Sequence, residues 1–325
     1  MREAWVGSFL SSLNESLVFS YSAKRMRASC RADAGVRCEI QKTKRGTMRK
    51  LFWFAVCLSF LFLFLPNLEA SASDVLDPFP RAAKSYILTM QERPLWAHEP
   101  AKELPPASLT KVMTARLVLK HAAMDDIVMV DADAAAETGS RIALRAGQMF
   151  YVKDLLAAML LNSANDACHA LADHVAGNEE KFVEMMNREA AGLGLRHTHF
   201  TNACGHDAPE HYTTAEELAR IAGETLKNPV FAYLVSVERK TISSVDGIRN
   251  IRLRNRNRLI GRYPGASGVK TGFTRGAGKC LITIAERDGV RVMLVLLNSP
   301  NRWKKAPSML DKAFSQRIKL VNVKG

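Results

Sequence analysis

Apolar positions recur with different periods along the chain, and the period changes twice after residue 72. Apolar runs rich in β-forming residues predict strands over 84–90 and 94–98 and again over 269–274, 279–286 and 290–298. A turn over 91–94 would join the first two strands, and Asp288-Gly289 is a typical hairpin turn between the last two. Five strands drawn from both ends of this region predict one antiparallel sheet.

Between these two groups of strands, apolar residues recur at the helical spacing of three and four. The pattern predicts helices over 108–121, 152–175 and 179–193, with an interruption of the second at 162–165. A further helix is predicted to start at Thr213, because Thr213-x-x-Glu216 resembles a capping box, and 306–318 predicts a closing helix. The chain is therefore predicted to be α+β, with helices flanking the sheet and a mostly helical lobe inserted into it.

The first 72 residues have a different pattern, which predicts a targeting segment and not part of the folded domain. Met48-Arg49-Lys50 is followed by an apolar stretch over 51–66 and by Ala70-Ser71-Ala72. These are the charged, apolar and small-residue parts of a secretory signal, so 48–72 is interpreted as a signal peptide cleaved after Ala72. The alternative is a membrane span, but the apolar stretch is shorter than the ~20 residues that a spanning helix needs.

Residues 1–47 show no apolar periodicity, and a secretory signal normally stands at the true N-terminus. We interpret them as a non-native N-terminal extension, with translation starting at Met48. Residues 73–325 then form one domain, exported across the inner membrane to the periplasm or cell-wall space. Peptides from 1–47 found in the native host would contradict this interpretation.

Charge and cysteine content add little to this picture. The formal charge is +14, and +8 without residues 1–72, which suits an acidic polymer such as a cell wall without requiring one. A dense arginine run over 249–262 is interpreted as a solvated loop near an anionic substrate, because nucleic acid is a poor partner for an exported protein. After residue 72 the cysteines are Cys168, Cys204 and Cys280, which allow at most one intrachain disulfide and are expected to be buried small hydrophobic residues.

Three short motifs occur in an order that serine hydrolases use. They are Ser108-Leu109-Thr110-Lys111, Ser163-Ala164-Asn165 and Lys270-Thr271-Gly272. Each is weak alone, since Ser267-Gly268-Val269-Lys270 also matches the first, and Ser163 and Asn165 equally fit a helix-capping role. Ser108 is distinguished by opening a predicted helix, where Lys111 projects from the same face and free N–H groups favour a developing anion.

The residue types in these motifs predict an acyl-transfer site. A serine hydroxyl needs a base within hydrogen-bond reach, and Lys111 can serve if burial or a neighbouring cation, here Lys270, lowers its pKa. Ser163 would relay the proton to the leaving amine, and Asn165 would hold Lys111 and the substrate backbone.

The third motif lies on a predicted strand that a substrate could extend. Gly272 would let a peptide backbone approach closely as an added strand. Thr271 and Lys270 would then meet the terminal carboxylate of that peptide. The N–H groups of Ser108 and Phe273 would form the oxyanion hole.

With these segments, residues 82–316 resemble the low-molecular-weight penicillin-binding proteins, which are serine D-alanyl-D-alanine carboxypeptidases of peptidase family S11. The resemblance rests on 105–115, on 163–167, on Lys270-Thr271-Gly272-Phe273-Thr274 and on Arg302-Trp303. It implies a β-lactamase/transpeptidase-like fold and a carboxypeptidase that removes the terminal D-alanine from peptidoglycan stem pentapeptides through an acyl-enzyme at Ser108. β-Lactams would be covalent inhibitors, and Arg302 would help to hold the substrate carboxylate.

The sequence departs from the family at a few points. Ala164 replaces a common glycine and Cys204 a usual proline, and neither change removes a group that the mechanism needs. The second β-domain and C-terminal amphipathic helix usual in the family are not expected here, because the resemblance covers residues 82–316 alone, and membrane association is therefore left open. The expected lack of these parts also keeps a D,D-endopeptidase on this scaffold as an alternative. A second alternative is a non-catalytic wall-binding module that has kept the fold.

No cofactor, metal or nucleic acid is expected. The cluster of four histidines, His197, His199, His206 and His211, invites a metal interpretation, but these loop residues lack a recognisable ligand pattern. A class A β-lactamase would carry a deacylating glutamate after the second motif, and 199–207 contains none, so slow release of penicillin is expected.

Overall fold

A computed structural model describes residues 77–322, with side chains described as far as residue 316. The predicted extension 1–47 and signal peptide 48–72 lie outside these residues. Within the described part of the chain, no helix combines the length and the apolar character needed to cross a membrane.

The described residues form strands and helices in alternating groups. The strands are β1 (Ser85–Met90), β2 (Arg93–His98), β3 (Ile127–Met129), β4 (Met149–Tyr151), β5 (Arg239–Ser243), β6 (Asn250–Arg254), β7 (Ala266–Thr274), β8 (Gly278–Arg287) and β9 (Val290–Leu297). The helices are α1 (Lys111–His121), α2 (Ala132–Ala136), α3 (Val152–Ala157), α4 (Asn165–Ala176), α5 (Glu179–Gly192), α6 (Ala215–Leu226), α7 (Pro229–Ser236) and α8 (Arg302–Asn322). Two tighter segments join them, the 3₁₀ turn Ala107–Thr110 and the π turn Ala158–Asn162.

The central sheet has the order β2-β1-β9-β8-β7, and every neighbouring pair is antiparallel. These are the five predicted strands, so the predicted α+β class is confirmed. The Asp288-Gly289 turn is also confirmed, with left-handed φ angles of 47° and 71° that a two-residue hairpin turn requires. The first turn is shorter than predicted, because β2 already starts at Arg93. Pro94 lies in β2 as predicted, and since β2 is an edge strand its missing N–H costs no ladder bond.

The sheet is buried on both faces, which explains the continuous apolar runs of β8 and β9. One face packs against the helical lobe, where Ile282 and Val295 join the larger apolar core. The other face packs against α8, where Leu281 and Leu294 join a smaller core with Met309. The sheet therefore carries its free edge, strand β7, along the side of the helical lobe.

Several predicted helix boundaries shift by a few residues. The helix predicted over 152–175 is interrupted as expected, by the π turn and by Ser163, whose φ is 59°. The predicted N-cap Thr213 is wrong by one residue: Thr214 caps α6 by accepting from the Glu217 N–H. The closing helix starts at Arg302, four residues before the predicted start.

The strand pair β3–β4, the hairpin β5–β6 and the helices α2 and α7 were not predicted. Strands β3 and β4 have three residues each, too few to show an alternation. In β6 the alternation is present, with Ile251 and Leu253 turned inward and Arg252 and Arg254 outward, but the arginine run was interpreted as a loop. The dense positive charge favoured a loop in the sequence analysis, although one face of this strand is apolar.

Candidate active site

The candidate nucleophile Ser108 lies in the 3₁₀ turn just ahead of α1, so the helix itself starts at Lys111 and not at Ser108. The turn is strained, since Ala107 has a φ of 51°. Gly205, with a φ of 83°, packs against it so closely that a Cβ there would lie 2.0 Å from the Ala107 carbonyl oxygen. The turn is thus fixed from outside by a position that only glycine can occupy.

Lys111 is fully buried and reaches Ser108 from the first turn of α1. Its Nζ lies 2.7 Å from Asn165 Oδ1 and 3.3 Å from Ser108 Oγ, and it also donates to the Cys204 carbonyl. The Asn165 and Cys204 oxygens can only accept, so they take two N–H bonds. The remaining direction on Nζ faces Ser108, where a neutral amine would carry its lone pair.

Ser163 and Asn165 reach the site because the chain turns sharply between the π turn and α4. The left-handed Ser163 ends the π turn, and the Asn165 N–H donates to the Ser140 carbonyl at 2.6 Å. The Asn165 amide nitrogen donates to the Thr138 carbonyl at 2.6 Å while its oxygen holds Lys111. The expected contact between Asn165 and Lys111 is therefore present in the structure.

Lys270 approaches from β7 and is also buried. Its Nζ donates to Ser163 Oγ at 2.8 Å and to the Thr271 carbonyl at 3.0 Å. Burial, followed by the charge of Lys111, holds the pKa of Lys270 well below its usual range. Lys270 was expected to act as a cation beside Lys111, and that role stays a prediction; the side-chain contact that the structure shows for its Nζ is with Ser163.

Strand β7 presents the third motif along the free edge of the sheet. A Cβ at Gly272 would lie 3.0 Å from the Pro106 oxygen and 3.2 Å from the Ser108 nitrogen, so the strand runs directly beside the nucleophile turn. Thr271 is buried, whereas Phe273 is 61% exposed beside the cleft. The lack of a side chain at Gly272, which was expected to admit a substrate backbone, is needed in the structure for the close contact with the nucleophile turn.

The other two predicted substrate-binding residues have protein partners of their own. Thr274 Oγ1 donates to Asp207 Oδ1 at 2.5 Å and accepts from the Ala277 N–H, so it closes the β7–β8 turn and does not line the cleft. Arg302 does line the cleft, and its Nη1 donates to the Gly272 and Cys280 carbonyls. Its Nε is buried without a partner, and burial lowers the pKa of the guanidinium.

These elements enclose an open cleft of about 760 Å³. Its walls come from the nucleophile turn, the second motif, β6 with the turn that follows it, β7 and the start of α8. The lining residues that carry or surround the predicted chemistry are Ser108, Ser140, Ser163, Thr271, Gly272, Phe273, Arg302 and Trp303. The structure thus brings Ser108, Lys111, Ser163, Asn165, Lys270 and Thr271 into one site.

Two acidic residues that support the site were not singled out in the sequence. Asp166 is fully buried and accepts from the N–H groups of Ile142, Leu144 and Ala167, which ties the loop before β4 to α4. Glu137 precedes Thr138, the residue that Asn165 binds, and accepts from His169. Asp166 adjoins the second motif, which is the one sequence signal that pointed to it.

The predicted burial of the cysteines is confirmed, since Cys168, Cys204 and Cys280 are free and buried. Of the four clustered histidines, His206 lies near possible metal ligands: one atom each of Glu137, Cys204 and His206 falls within 4.8 Å of the others. His211 is instead buried beneath the nucleophile turn, where Thr110 Oγ1 lies 2.9 Å from its Nε2. Burial lowers the pKa of His211 to about 4, so it is neutral at physiological pH.

Comparison with known proteins adds a family to this geometry. A family model described as D-alanyl-D-alanine carboxypeptidase, peptidase S11, matches residues 73–301. The chain is 36% identical over 245 residues to the D-alanyl-D-alanine carboxypeptidase DacF of Bacillus subtilis, which covers 72% of this chain and 62% of that protein. It is 34% identical over 220 residues to DacB2 of Mycobacterium tuberculosis, covering 65% of this chain and 74% of that protein.

Solved structures show the same fold. The DD-transpeptidase of Streptomyces K15 superposes with a TM-score of 0.69 at 30% identity, covering 72% of this chain and 97% of that one. The D-alanyl-D-alanine carboxypeptidase DacD of Francisella tularensis superposes with a TM-score of 0.67 at 26% identity, covering 72% and 70% of the two chains.

Proposed function

The chain belongs to the D-alanyl-D-alanine carboxypeptidase family of serine peptidases, as its resemblance to them predicted, and on this basis we propose that it removes the terminal D-alanine from peptidoglycan stem pentapeptides. The observation that carries the proposal is the environment of Lys111. Two carbonyl acceptors occupy two directions on its Nζ and the third faces Ser108 Oγ. A base held in this way can act on one hydroxyl only.

Acylation follows from this arrangement. Ser108 Oγ attacks the carbonyl carbon of the bond between the two D-alanines, and its proton passes to the neutral form of Lys111. The N–H groups of Ser108 and Phe273 receive the developing oxyanion. Collapse of the tetrahedral intermediate breaks the C–N bond and leaves an ester on Ser108.

Departure of the D-alanine requires a proton on its amine. Ser163 gives its hydroxyl proton to the leaving nitrogen and is resupplied by Lys270, whose Nζ lies 2.8 Å from Ser163 Oγ. Lys111 returns the proton that it took from Ser108 to Lys270 by way of Ser163, so both lysines regain their starting states. Water then attacks the ester and gives a proton to Lys111, and Lys111 passes this proton to Ser108 Oγ as the ester bond breaks and the shortened peptide leaves. The lowered pKa of Lys270 suits this role, because an ammonium held below its usual pKa releases a proton readily.

The released end of the substrate carries a carboxylate, and the floor of the cleft offers cationic groups to it. We assign its binding to the Thr271 hydroxyl together with Lys270 and Arg302, with the peptide lying along the free edge of β7. Thr274 would contribute only by holding the end of β7 in place through Asp207.

The site also supports covalent inhibition by β-lactams, whose strained amide would acylate Ser108 in the same way. We further propose that the protein acts outside the inner membrane, in the periplasm or cell-wall space, after cleavage of the signal peptide 48–72. This part rests on the sequence pattern of those residues. N-terminal sequencing of the protein from its native host would test it, with Ser73 as the expected first residue.

Digestion of purified muropeptides tests the proposed reaction. We expect release of free D-alanine from monomeric pentapeptides and its loss in a Ser108→Ala variant. The matched control is Ser267→Ala, because Ser267 belongs to the other Ser-x-x-Lys match but is exposed on β7. Loss of cross-linked dimers without release of D-alanine would contradict the proposal and indicate an endopeptidase.

A further inference from the structure

Five arginines form one wall of the catalytic cleft, and we call them the arginine surface: Arg252, Arg254, Arg256, Arg258 and Arg262. All five are exposed, and they share the cleft with Ser108. The carboxylate among the lining residues is that of Glu238, which lies 3.6 Å from Arg239. This wall therefore carries a large excess of positive charge.

The arginines are aimed into the cleft by a rigid backbone. Asn255 donates to the Val235 and Val237 carbonyls, and the buried Asn257 donates to the Gly268 carbonyl at 2.7 Å. Because asparagines alternate with arginines over 254–258, the asparagines turn inward and the arginines outward. This segment is built to hold exposed cations in fixed positions.

The same segment is tied to the second motif. The Arg254 N–H donates to Asn162 Oδ1 at 2.8 Å, and the Arg256 N–H donates to the Leu161 carbonyl at 3.0 Å. Both acceptors belong to the π-turn region that ends at Ser163. The arginine surface is therefore part of the catalytic wall and not a separate lobe.

No ion pair or side-chain hydrogen bond engages these five guanidinium groups anywhere in the described residues 77–316. The contact found for these groups among the described residues is of another kind, the stacking of Arg258 over the Trp303 ring at 5.7 Å. Arg249, at the start of the same run, differs: it donates to Gln148 and to the Ile142 and Ala143 carbonyls. Arg249 is structural, whereas the arginine surface has its donors free.

Free guanidinium groups on a cleft wall match carboxylates, which accept two parallel N–H bonds from one arginine. An anion bound here shares the cleft with the group that acylates Ser108, so it must be part of the substrate itself. A separate anionic polymer would block the cleft. Building on the proposed function, we propose that the arginine surface selects acidic stem peptides, whose internal residues keep free carboxylates, over amidated ones.

The test uses two soluble pentapeptides ending in D-alanyl-D-alanine that differ only in whether the internal carboxylates are free or amidated. We expect kcat/KM for D-alanine release to favour the free acid by roughly 10-fold at low salt, mainly through KM, because a cleft of one charge raises the local concentration of its counter-ion. The preference should shrink as salt rises. In an Arg254→Gln/Arg258→Gln variant, the ratio should fall towards 1.

The matched control is Arg93→Gln/Arg145→Gln, which removes the same charge from exposed positions outside the cleft and should keep the ratio. Thermal denaturation of both double variants confirms that they fold. Equal cleavage of the two peptides would overturn the inference and leave the carboxypeptidase standing. The inference is also overturned, and the carboxypeptidase left standing, if amidation has no effect on cleavage while inorganic polyphosphate competes with the peptides.

Failure of the proposed function would look different, since neither peptide would then release D-alanine. Calorimetric binding of the two peptides to a Ser108→Ala variant decides the inference independently of catalysis. Tighter binding of the free acid supports the arginine surface, and equal binding refutes it.

Discussion

The two sides of the cleft hold cations in opposite ways. On one side, Lys111 and Lys270 are buried and donate to defined acceptors, so each amino group has a fixed position. On the other side, the arginine surface is exposed, and its side chains have no hydrogen-bond partner among the described residues. The difference separates chemistry from recognition: groups that transfer protons need fixed positions, whereas a surface that binds anions needs free N–H donors.

The largest effect should come from removing the buried base. In Lys111→Met we expect acylation by labelled penicillin to slow by about 10³-fold, the usual contribution of a positioned general base. The matched control is Lys120→Met on the same helix, because Lys120 is exposed and pairs with Glu189 on the surface. A Lys111 variant that acylates at the parent rate would contradict the role of Lys111 as the base for Ser108.

The rigidity of the buried side depends on Gly205. In Gly205→Ala the new Cβ would meet the Ala107 oxygen at 2.0 Å, so the nucleophile turn must move. We expect a loss of about 3 kcal/mol of unfolding free energy and about 100-fold slower acylation. Gly177→Ala controls for the backbone cost alone, since Gly177 has a similar φ of 86° and open space around it. Equal effects of the two changes would refute a role for the close contact.

An intermediate effect should come from the ion pair between His169 and Glu137. Glu137 adjoins Thr138, whose carbonyl accepts from the Asn165 amide. The hydrogen bond to Glu137, opposed by burial, raises the pKa of His169 to about 9. A group whose pKa is raised on folding stabilises the fold below its unfolded pKa of 6.5, and this contribution is lost as pH rises through about 9. His169→Gln should therefore cost about 2 kcal/mol at pH 6 and much less at pH 10, measured by urea denaturation. A cost that does not change with pH would contradict the assigned charge.

The smallest effect should come from the exposed side. The Arg254→Gln/Arg258→Gln variant should unfold within about 0.5 kcal/mol of the parent, because exposed groups without partners contribute little to stability. If the double variant is more stable than the parent, the gain in unfolding free energy should appear at low salt, where repulsion among the arginines of the parent is greatest. Arg116→Gln is the contrasting control, since Arg116 is half-buried and donates to Glu189 at 2.8 Å. A larger loss in the double variant than in Arg116→Gln would show that the arginine surface is structural.

Much of the buried side could be predicted from the sequence, because its residues lie in short motifs with fixed local geometry. Ser108 and Lys111 are one helical turn apart, and Lys270 and Gly272 share a strand with strong β-forming neighbours. The order of the motifs sufficed to predict that they would meet. The sheet could be predicted as well, since its strands are long and apolar.

What the sequence could not show depends on contacts between distant segments. The link between Thr274 and Asp207 joins residues 67 positions apart, so Thr274 looked available to substrate. The lowered pKa of Lys270 arises from burial, which follows only from the packing of β7 against the helical lobe. The arginine run was placed near an anionic substrate, but the alternation of inward asparagines and outward arginines needed the folded backbone.

The most direct test of the central claim is the mass and site of the covalent adduct formed with penicillin. We predict one equivalent of penicilloyl group per protein, located by peptide mapping on the segment that contains Ser108 and absent in Ser108→Ala. An adduct on Ser267 or another residue, or one that persists in Ser108→Ala, would contradict the assignment of Ser108 as the nucleophile.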